Sequence, residues 1–309
     1  MQKIDHFNPI QATIFLISCF LIFVCPSNLF AENLIERIES KYNTIFIYKN
    51  NEYVKMTFGY NKRIFTESIS NTKDRTELPV IYTRYMTAGL AYAKNLKNIL
   101  EIGFGGGTTA WYMHRYLPRS NITSVELDER VFELSQEYFG IQKAPNFNVR
   151  ISDGRMHLMR SKKKYDVIMI DAYRGPFVPF HLMTKEFYEI AKARMQPGGA
   201  LIQNVEPTTM LFEAAVATLQ SVFDQVEFYA ASGNVVTIAY DGFRRSKAEL
   251  EKAAKQLQKH HNFRYQLPKL LKARRFLGDT PSQGPLTDDF APVETLRSIE
   301  RHNAKWLEK

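Results

Sequence analysis

Glu101-Ile-Gly103-Phe-Gly105-Gly-Gly107-Thr108 is an acid followed by a glycine run. Glycines are needed where a chain turns sharply and its backbone must approach a ligand closely. A helix opening at Thr108 would present unpaired amides to that ligand. Glu126, in Val125-Glu126-Leu127-Asp128, follows at about 20 residues, the spacing of an acid that accepts hydrogen bonds from both ribose hydroxyls. Asp153, in Ser152-Asp153-Gly154, stands where a carboxylate can accept from an adenine amino group, and Asp171 lies in Ile170-Asp171-Ala172-Tyr173-Arg174. Singly, each acid is as readily a strand-end or helix-cap residue. The loop and three strand-end acids together point to an adenosine compound. A nicotinamide-dinucleotide protein would share the glycine loop and the ribose acid. The acid-x-Gly-x-Gly-x-Gly form, Asp153 and a closing hairpin favour an S-adenosylmethionine-type fold instead.

These residues need a scaffold that gathers strand ends. From Lys97 onward strands and helices alternate. Strands are expected over Asn98–Ile102, Ile122–Glu126, Asn148–Ser152, Asp166–Asp171 and Ala200–Asn204. Helices are expected over Thr108–Tyr116, Glu129–Phe139, Arg155–Arg160, Lys185–Met195 and Thr208–Phe223. Five such units predict a doubly wound α/β sheet of Rossmann-like, methyltransferase type, whose carboxyl edge carries the acids. Gln225–Ala231 and Asn234–Tyr240 flank Ser232-Gly233 and read as a closing antiparallel hairpin. Upstream, Asn43–Ser70 reads as a small antiparallel sheet of about three strands broken at Lys49-Asn50-Asn51 and Gly59-Tyr60-Asn61, followed by a helix over Leu78–Lys94. The expected divisions are 1–31, 32–95 (β-rich subdomain and linking helix), 96–242 (nucleoside-binding domain) and 243–309 (basic helical region).

The chain has 309 residues, 45% hydrophobic and 24% charged, which excludes disorder and a multi-span membrane protein. Its net charge of +9 favours anionic encounters, and the basic stretch Arg244–Arg275 invites an anionic envelope surface as partner. The Arg160–Lys164 run reads as a solvated helix end, and no nucleic-acid partner is expected. Residues 12–25 form an uncharged apolar run after Lys3. It is short for a membrane span, which takes about 20 residues, and has the length of a signal-peptide core. Cleavage at Ala31 and export to the periplasm are expected, with an inner-membrane anchor formed by residues 12–25 as the alternative. Cleavage would also remove Cys19 and Cys25, the only cysteines, which suits an oxidising compartment. Adenosylated donors are made in the cytoplasm, so export and a donor-dependent enzyme pull against each other. No histidine–carboxylate cluster has metal-ligand spacing, and no metal is expected.

From Asn43 to Glu294 the chain resembles the spermidine synthase family, the polyamine aminopropyltransferases, and within it the bacterial spermidine synthase-like branch. The resemblance is carried by Glu67-Ser68, Glu101–Thr108, Glu126-Leu127-Asp128, Asp153-Gly154 and Asp171-Ala172-Tyr173. Two longer segments add to it, Val178-Pro-Phe-His181-Leu-Met-Thr-Lys-Glu-Phe187 and Leu286-Thr-Asp-Asp-Phe-Ala-Pro-Val-Glu294. It implies transfer of an aminopropyl group from decarboxylated S-adenosylmethionine to a small amine acceptor such as putrescine, releasing methylthioadenosine. It also implies a homodimer. Glu101, Gly103, Gly105, Gly107, Glu126 and Asp153 would then hold the nucleoside, Asp171 would serve the reacting centre, and Glu67, Tyr82, Tyr173 and Arg174 would line the acceptor side. His181 reads as a packed or capping histidine.

Three departures from the family pattern fall at the amine end. The family's catalytic base, three residues after the first aspartate, is here Arg174, which cannot take up a proton and would repel a cationic amine. The glycine loop lacks the family's aspartate. A glutamine of the N-terminal sheet is here Glu67. Arg174 would suit a carboxylate, as in intact S-adenosylmethionine or an acidic acceptor, or face solvent. Three functions follow: an aminopropyltransferase, an S-adenosylmethionine-dependent methyltransferase, or a non-catalytic nucleoside- or polyamine-binding protein.

Overall fold

The computed structural model describes residues 32–60, 63–175, 177–207, 211–275 and 283–290. Residues 1–31, on which the export and anchor expectations rest, lie outside them. The first sheet has the order β1-β2-β3-β4, formed by Asn33–Glu39 (β1), Thr44–Asn50 (β2), Tyr53–Tyr60 (β3) and Arg63–Asn71 (β4). Strands β2 to β4 occupy the expected stretch, and β1 is an addition. Alternation builds this sheet: Ile45 and Ile47 of β2 and Val54, Met56 and Phe58 of β3 turn one face into the core. Asn51 reverses the chain with a φ of 51°.

The expected helix over Leu78–Lys94 is shorter, an α-helix over Ile81–Ala88 (α1) that tightens into a 3₁₀ turn over Gly89–Tyr92. Gly89 lies against the Ile202 side chain, where a Cβ would sit 2.2 Å from Cδ1. Close packing on the sheet thus sets that end of the element.

The second sheet, eight-stranded among the described residues, has the order β12-β10-β11-β9-β8-β5-β6-β7. Its parallel part comprises Asn98–Ile102 (β5), Asn121–Glu126 (β6), Phe147–Ile151 (β7), Tyr165–Ile170 (β8) and Met195–Val205 (β9). Gln225–Ala231 (β10) and Asn234–Tyr240 (β11) form the expected hairpin, and β11 adds antiparallel to β9. Arg274–Arg275 (β12) pairs with β10 at the edge. Helices Thr108–Tyr116 (α2), Glu129–Tyr138 (α3), Gly154–Arg160 (α4), Lys185–Ala193 (α5) and Phe212–Val222 (α6) connect the strands, and Lys247–His261 (α7) follows the hairpin. Residues 208–210, where the last connecting helix was expected to begin, lie outside the described residues.

The strands of the parallel part send alternate residues to two cores. Ile99, Val167, Met169 and Ile202 pack on one face, and Leu100, Ile168, Ile170 and Leu201 on the other. Period-2 alternation with both faces covered is why β8, Tyr-Asp-Val-Ile-Met-Ile, is buried along its whole length. From β5 the chain runs outward through β6 and β7, then crosses back to β8 on the other side of β5. The carboxyl ends of β5 and β8 therefore flank the crevice where open α/β sheets take ligands.

Candidate active site

The glycine loop leaves β5 at that crevice. Gly103 has a φ of 89°, and a Cβ there would lie 2.4 Å from the Asp171 carbonyl oxygen. Only glycine lets the two strand ends run this close. Gly107, at a φ of 71°, makes the turn into α2.

Glu126, at the end of β6, closes on this loop. Its Oε2 accepts from the amides of Phe104 and Gly105, both at 3.1 Å, and its Oε1 accepts from the Asp128 amide at 3.0 Å. Burial raises its carboxyl against those hydrogen bonds. Beneath the loop Glu101 is 2% exposed. Its register partner on β6 is Ser124, whose hydroxyl donates to Glu101 Oε2 at 2.7 Å. Burial pushes Glu101 up to about 8, with the Ser124 bond opposing and the Asp171 and Glu126 charges adding.

Asp171, just past β8, accepts from Asn204 Nδ2 at 3.0 Å and from the Tyr82 hydroxyl at 3.1 Å. Burial pushes it up to about 6 against both bonds. Tyr173 donates to the Asn204 carbonyl at 3.1 Å, and Asn234 Nδ2 donates to Asn204 Oδ1 at 3.0 Å. Burial drives both tyrosine hydroxyls well above their ordinary range, so they act as neutral donors.

The N-terminal sheet supplies the opposite wall. The β3–β4 register passes from Met56↔Ser68 to Thr57↔Thr66, which leaves Glu67 as the extra residue of a β-bulge. Regular alternation would send Glu67 and Ser68 to opposite faces; a bulge re-aims the extra side chain. Ser68 Oγ accepts from the Gly106 amide at 2.8 Å. Glu67 is raised well above the carboxylate range by burial, then by the Asp171 and Glu126 charges. Four acids thus meet on this crevice, and two of them, Glu101 and Glu67, are raised further by the Asp171 and Glu126 charges.

Asp153 stands further along the carboxyl edge. Its Oδ1 caps α4, accepting from the Met156 amide at 2.9 Å, and its Oδ2 meets His181 Nε2 at 2.8 Å. That histidine contact is the main reason Asp153 titrates below the ordinary range. His181 is therefore neither packed nor capping. Its side chain is 46% exposed, because the 3₁₀ turn Phe180–Leu182 crosses the N-terminal end of α4, where Arg155 Nη1 donates to the His181 carbonyl at 3.3 Å. Arg174 is exposed and forms no ion pair among the described residues; only its backbone pairs, with Phe177.

Glu101, Gly103, Gly105, Gly107, Glu126, Asp171, Tyr82 and Glu67 are therefore brought together, with Asp153 along the edge. Sequence reasoning missed Ser68, Ser124, Asn204 and the Asp153–His181 contact. Asn204 alone left a signal, as the polar end of the strand beside Asp171. Among the described residues no group of three or more His, Cys, Asp or Glu side chains is placed to hold a metal ion.

A doubly wound sheet with a glycine loop, a ribose-type acid and a closing hairpin defines a protein of the S-adenosylmethionine-type fold. Residues 80–241 match the family model described as the spermine/spermidine synthase domain. The chain belongs to the spermine/spermidine synthase family. A polyamine aminopropyltransferase of Vibrio vulnificus is 28% identical over 302 residues, covering 94% of this chain and 99% of the relative. A probable polyamine aminopropyl transferase of Bifidobacterium longum is 30% identical over 66% of this chain and 44% of its own length. A probable spermidine synthase of Corynebacterium glutamicum superposes with a TM-score of 0.63 at 22% identity, over 82% of this chain and 100% of that one.

Proposed function

We propose that the protein is an aminopropyltransferase that moves the aminopropyl group of decarboxylated S-adenosylmethionine to a small amine, a polyamine being the best-suited acceptor. The observation that carries this reading is the bulged Glu67, whose carboxyl feels the Asp171 charge and whose neighbour Ser68 is bound to the glycine loop. That places two acids where a cationic amine must lie, beside a nucleoside-type crevice. The similarity along the whole chain to an aminopropyltransferase supports it.

In this reading Glu126 takes the ribose hydroxyls with the lone pairs its backbone bonds leave, and Asp153 takes the base amino group. Gly103 lets the loop lie against the donor. Asp171, fixed by Asn204 and Tyr82, orients the attacking nitrogen through a charge-assisted hydrogen bond. A polyamine nitrogen has a pKa of about 10 and must lose a proton before it attacks. Tyr82 and Tyr173 wall the acceptor side. The exposed Arg174 marks the rim and discriminates among acceptors by charge. Residues 12–25 and the basic α7 region support, within the same proposal, an exported or membrane-anchored enzyme at an anionic envelope surface; cell fractionation tests that part.

The test gives the full chain both decarboxylated and intact S-adenosylmethionine with a polyamine mixture, and identifies the released nucleoside by mass spectrometry. Amine-dependent methylthioadenosine is the expected product. S-adenosylhomocysteine would make the protein a methyltransferase. Neither product, with nucleoside binding intact, would make it a binding protein.

A further inference from the structure

The two oxygens of Asp153 are held in different ways. Oδ1 accepts from the Met156 amide at 2.9 Å, a bond to its own local turn. Oδ2 meets His181 Nε2 at 2.8 Å, a contact made across 28 residues of chain. The Asp153 carboxyl titrates below its ordinary range, chiefly through this histidine, so near neutral pH it is ionised and can only accept. Nε2 must then carry the proton, because two acceptors do not pair. A carboxylate oxygen has lone pairs for a second donor, so Oδ2 remains able to take a hydrogen bond from a ligand.

The turn that carries His181 is fastened without its imidazole. Leu182 and Met183 are buried beneath the 3₁₀ turn Phe180–Leu182. From α4, Arg155 donates to the His181 carbonyl and to the Thr184 hydroxyl, both at 3.3 Å, and pairs with Asp288 through both of its terminal nitrogens. The imidazole, nearly half exposed, therefore adds little to holding the turn. What it does fix is Asp153: with only the Oδ1 bond the carboxylate could turn about Cβ–Cγ, and two bonds on two oxygens prevent that.

We propose that His181 is a positioning residue for recognition of the donor's base, holding Asp153 Oδ2 as a fixed acceptor that takes a 6-amino purine and turns away a 6-oxo one. The inference rests on the reading in which Asp153 meets the base amino group, and it deepens that reading. A 6-amino group offers a proton to Oδ2. A 6-oxo group presents an oxygen to an oxygen, and leaves both unpaired in the contact. A carboxylate free to rotate would lose part of the first interaction and escape part of the second.

The experiment measures, by calorimetry on the full chain, the affinities for methylthioadenosine and for its 6-oxo (inosine) analogue. The two ligands share the ribose and the methylthio group, so a general loosening of the crevice weakens both alike. His181→Ala is expected to lose about 10-fold in affinity for methylthioadenosine, with affinity for the 6-oxo analogue little changed. His181→Gln should stay near wild type, because the glutamine amide nitrogen reaches the place of Nε2. His181→Asn, whose amide reaches only the place of Nδ1, should behave as His181→Ala. Adding His181→Ala to Asp153→Ala should cost nothing further, since the histidine acts through that carboxylate. Unchanged affinity in His181→Ala, an equal loss for both nucleosides, or an additive loss in the double variant overturns the role of His181 and leaves Asp153 in the base subsite. Wild-type discrimination retained by Asp153→Ala overturns the base-subsite reading and the proposal together.

Discussion

Replacing Glu101 by glutamine should change how stability depends on pH. Burial lifts the Glu101 carboxyl from an ordinary 4.5 to about 8 in the folded chain. The folded state therefore holds a proton that the unfolded state gives up, so the contribution is complete below pH 4.5 and is lost as pH rises through 8. At 1.36 kcal/mol per pH unit the loss amounts to about 5 kcal/mol across that window. Against a total stability of roughly 5–15 kcal/mol this is a large fraction. Asp171, raised from 3.8 to about 6, adds a loss of the same sign worth about 3 kcal/mol, and that part remains in the variant. Urea unfolding of wild type and Glu101→Gln at pH 5, 7 and 9 checks the reasoning. The variant should gain on the wild type by about 4 kcal/mol between pH 5 and pH 9. Parallel stability profiles would show that Glu101 is solvated or paired in solution, and would refute the sealed position under the loop.

Gly103→Ala adds a Cβ 2.4 Å from the Asp171 carbonyl oxygen at a φ of 89°. A loss of about 3 kcal/mol or more is expected in thermal unfolding, along with nucleoside binding measured by calorimetry. Asp153→Ala should weaken nucleoside binding about 10- to 150-fold, the worth of a hydrogen bond to a charged group. Its kcat at saturating donor should stay near wild type, and an unchanged Kd would remove Asp153 from the base subsite. Arg274→Ala leaves Glu227 fully buried without its cation, on the hydroxyls of Tyr92 at 2.5 Å and Tyr240 at 2.7 Å. Denaturant titration should show a loss of about 3–5 kcal/mol.

Much of the fold was legible because its signals are local. The glycine run, the alternating apolar strands and the Ser232-Gly233 reversal each act over fewer than a dozen residues, and α2 and the closing hairpin lie where they were read. β5 also lies where it was read; β6, β7 and β8 differ by one residue at their ends, and β9 starts five residues early at Met195 because Tyr165 pairs with Met195 at its outset. The helix after residue 78 ends early because Gly89 must lie against Ile202, a contact 113 residues away along the chain.

At the site the division is sharper. Residue type and spacing alone marked Glu101, Glu126, Asp153 and Asp171, since each terminates or follows a strand whose direction the hydrophobic pattern sets. What each carboxylate does there was decided by tertiary structure. Glu126 turns onto the glycine-loop amides, Asp153 meets a histidine 28 residues on, and Asp171 is held by Tyr82 and Asn204 from two other elements. Glu67 shows the reason most plainly. A β-bulge is a mismatch between two strands, so no local pattern in either strand records it. The proton affinity of the acid that it aims depends on charges and burial supplied by segments far away along the chain.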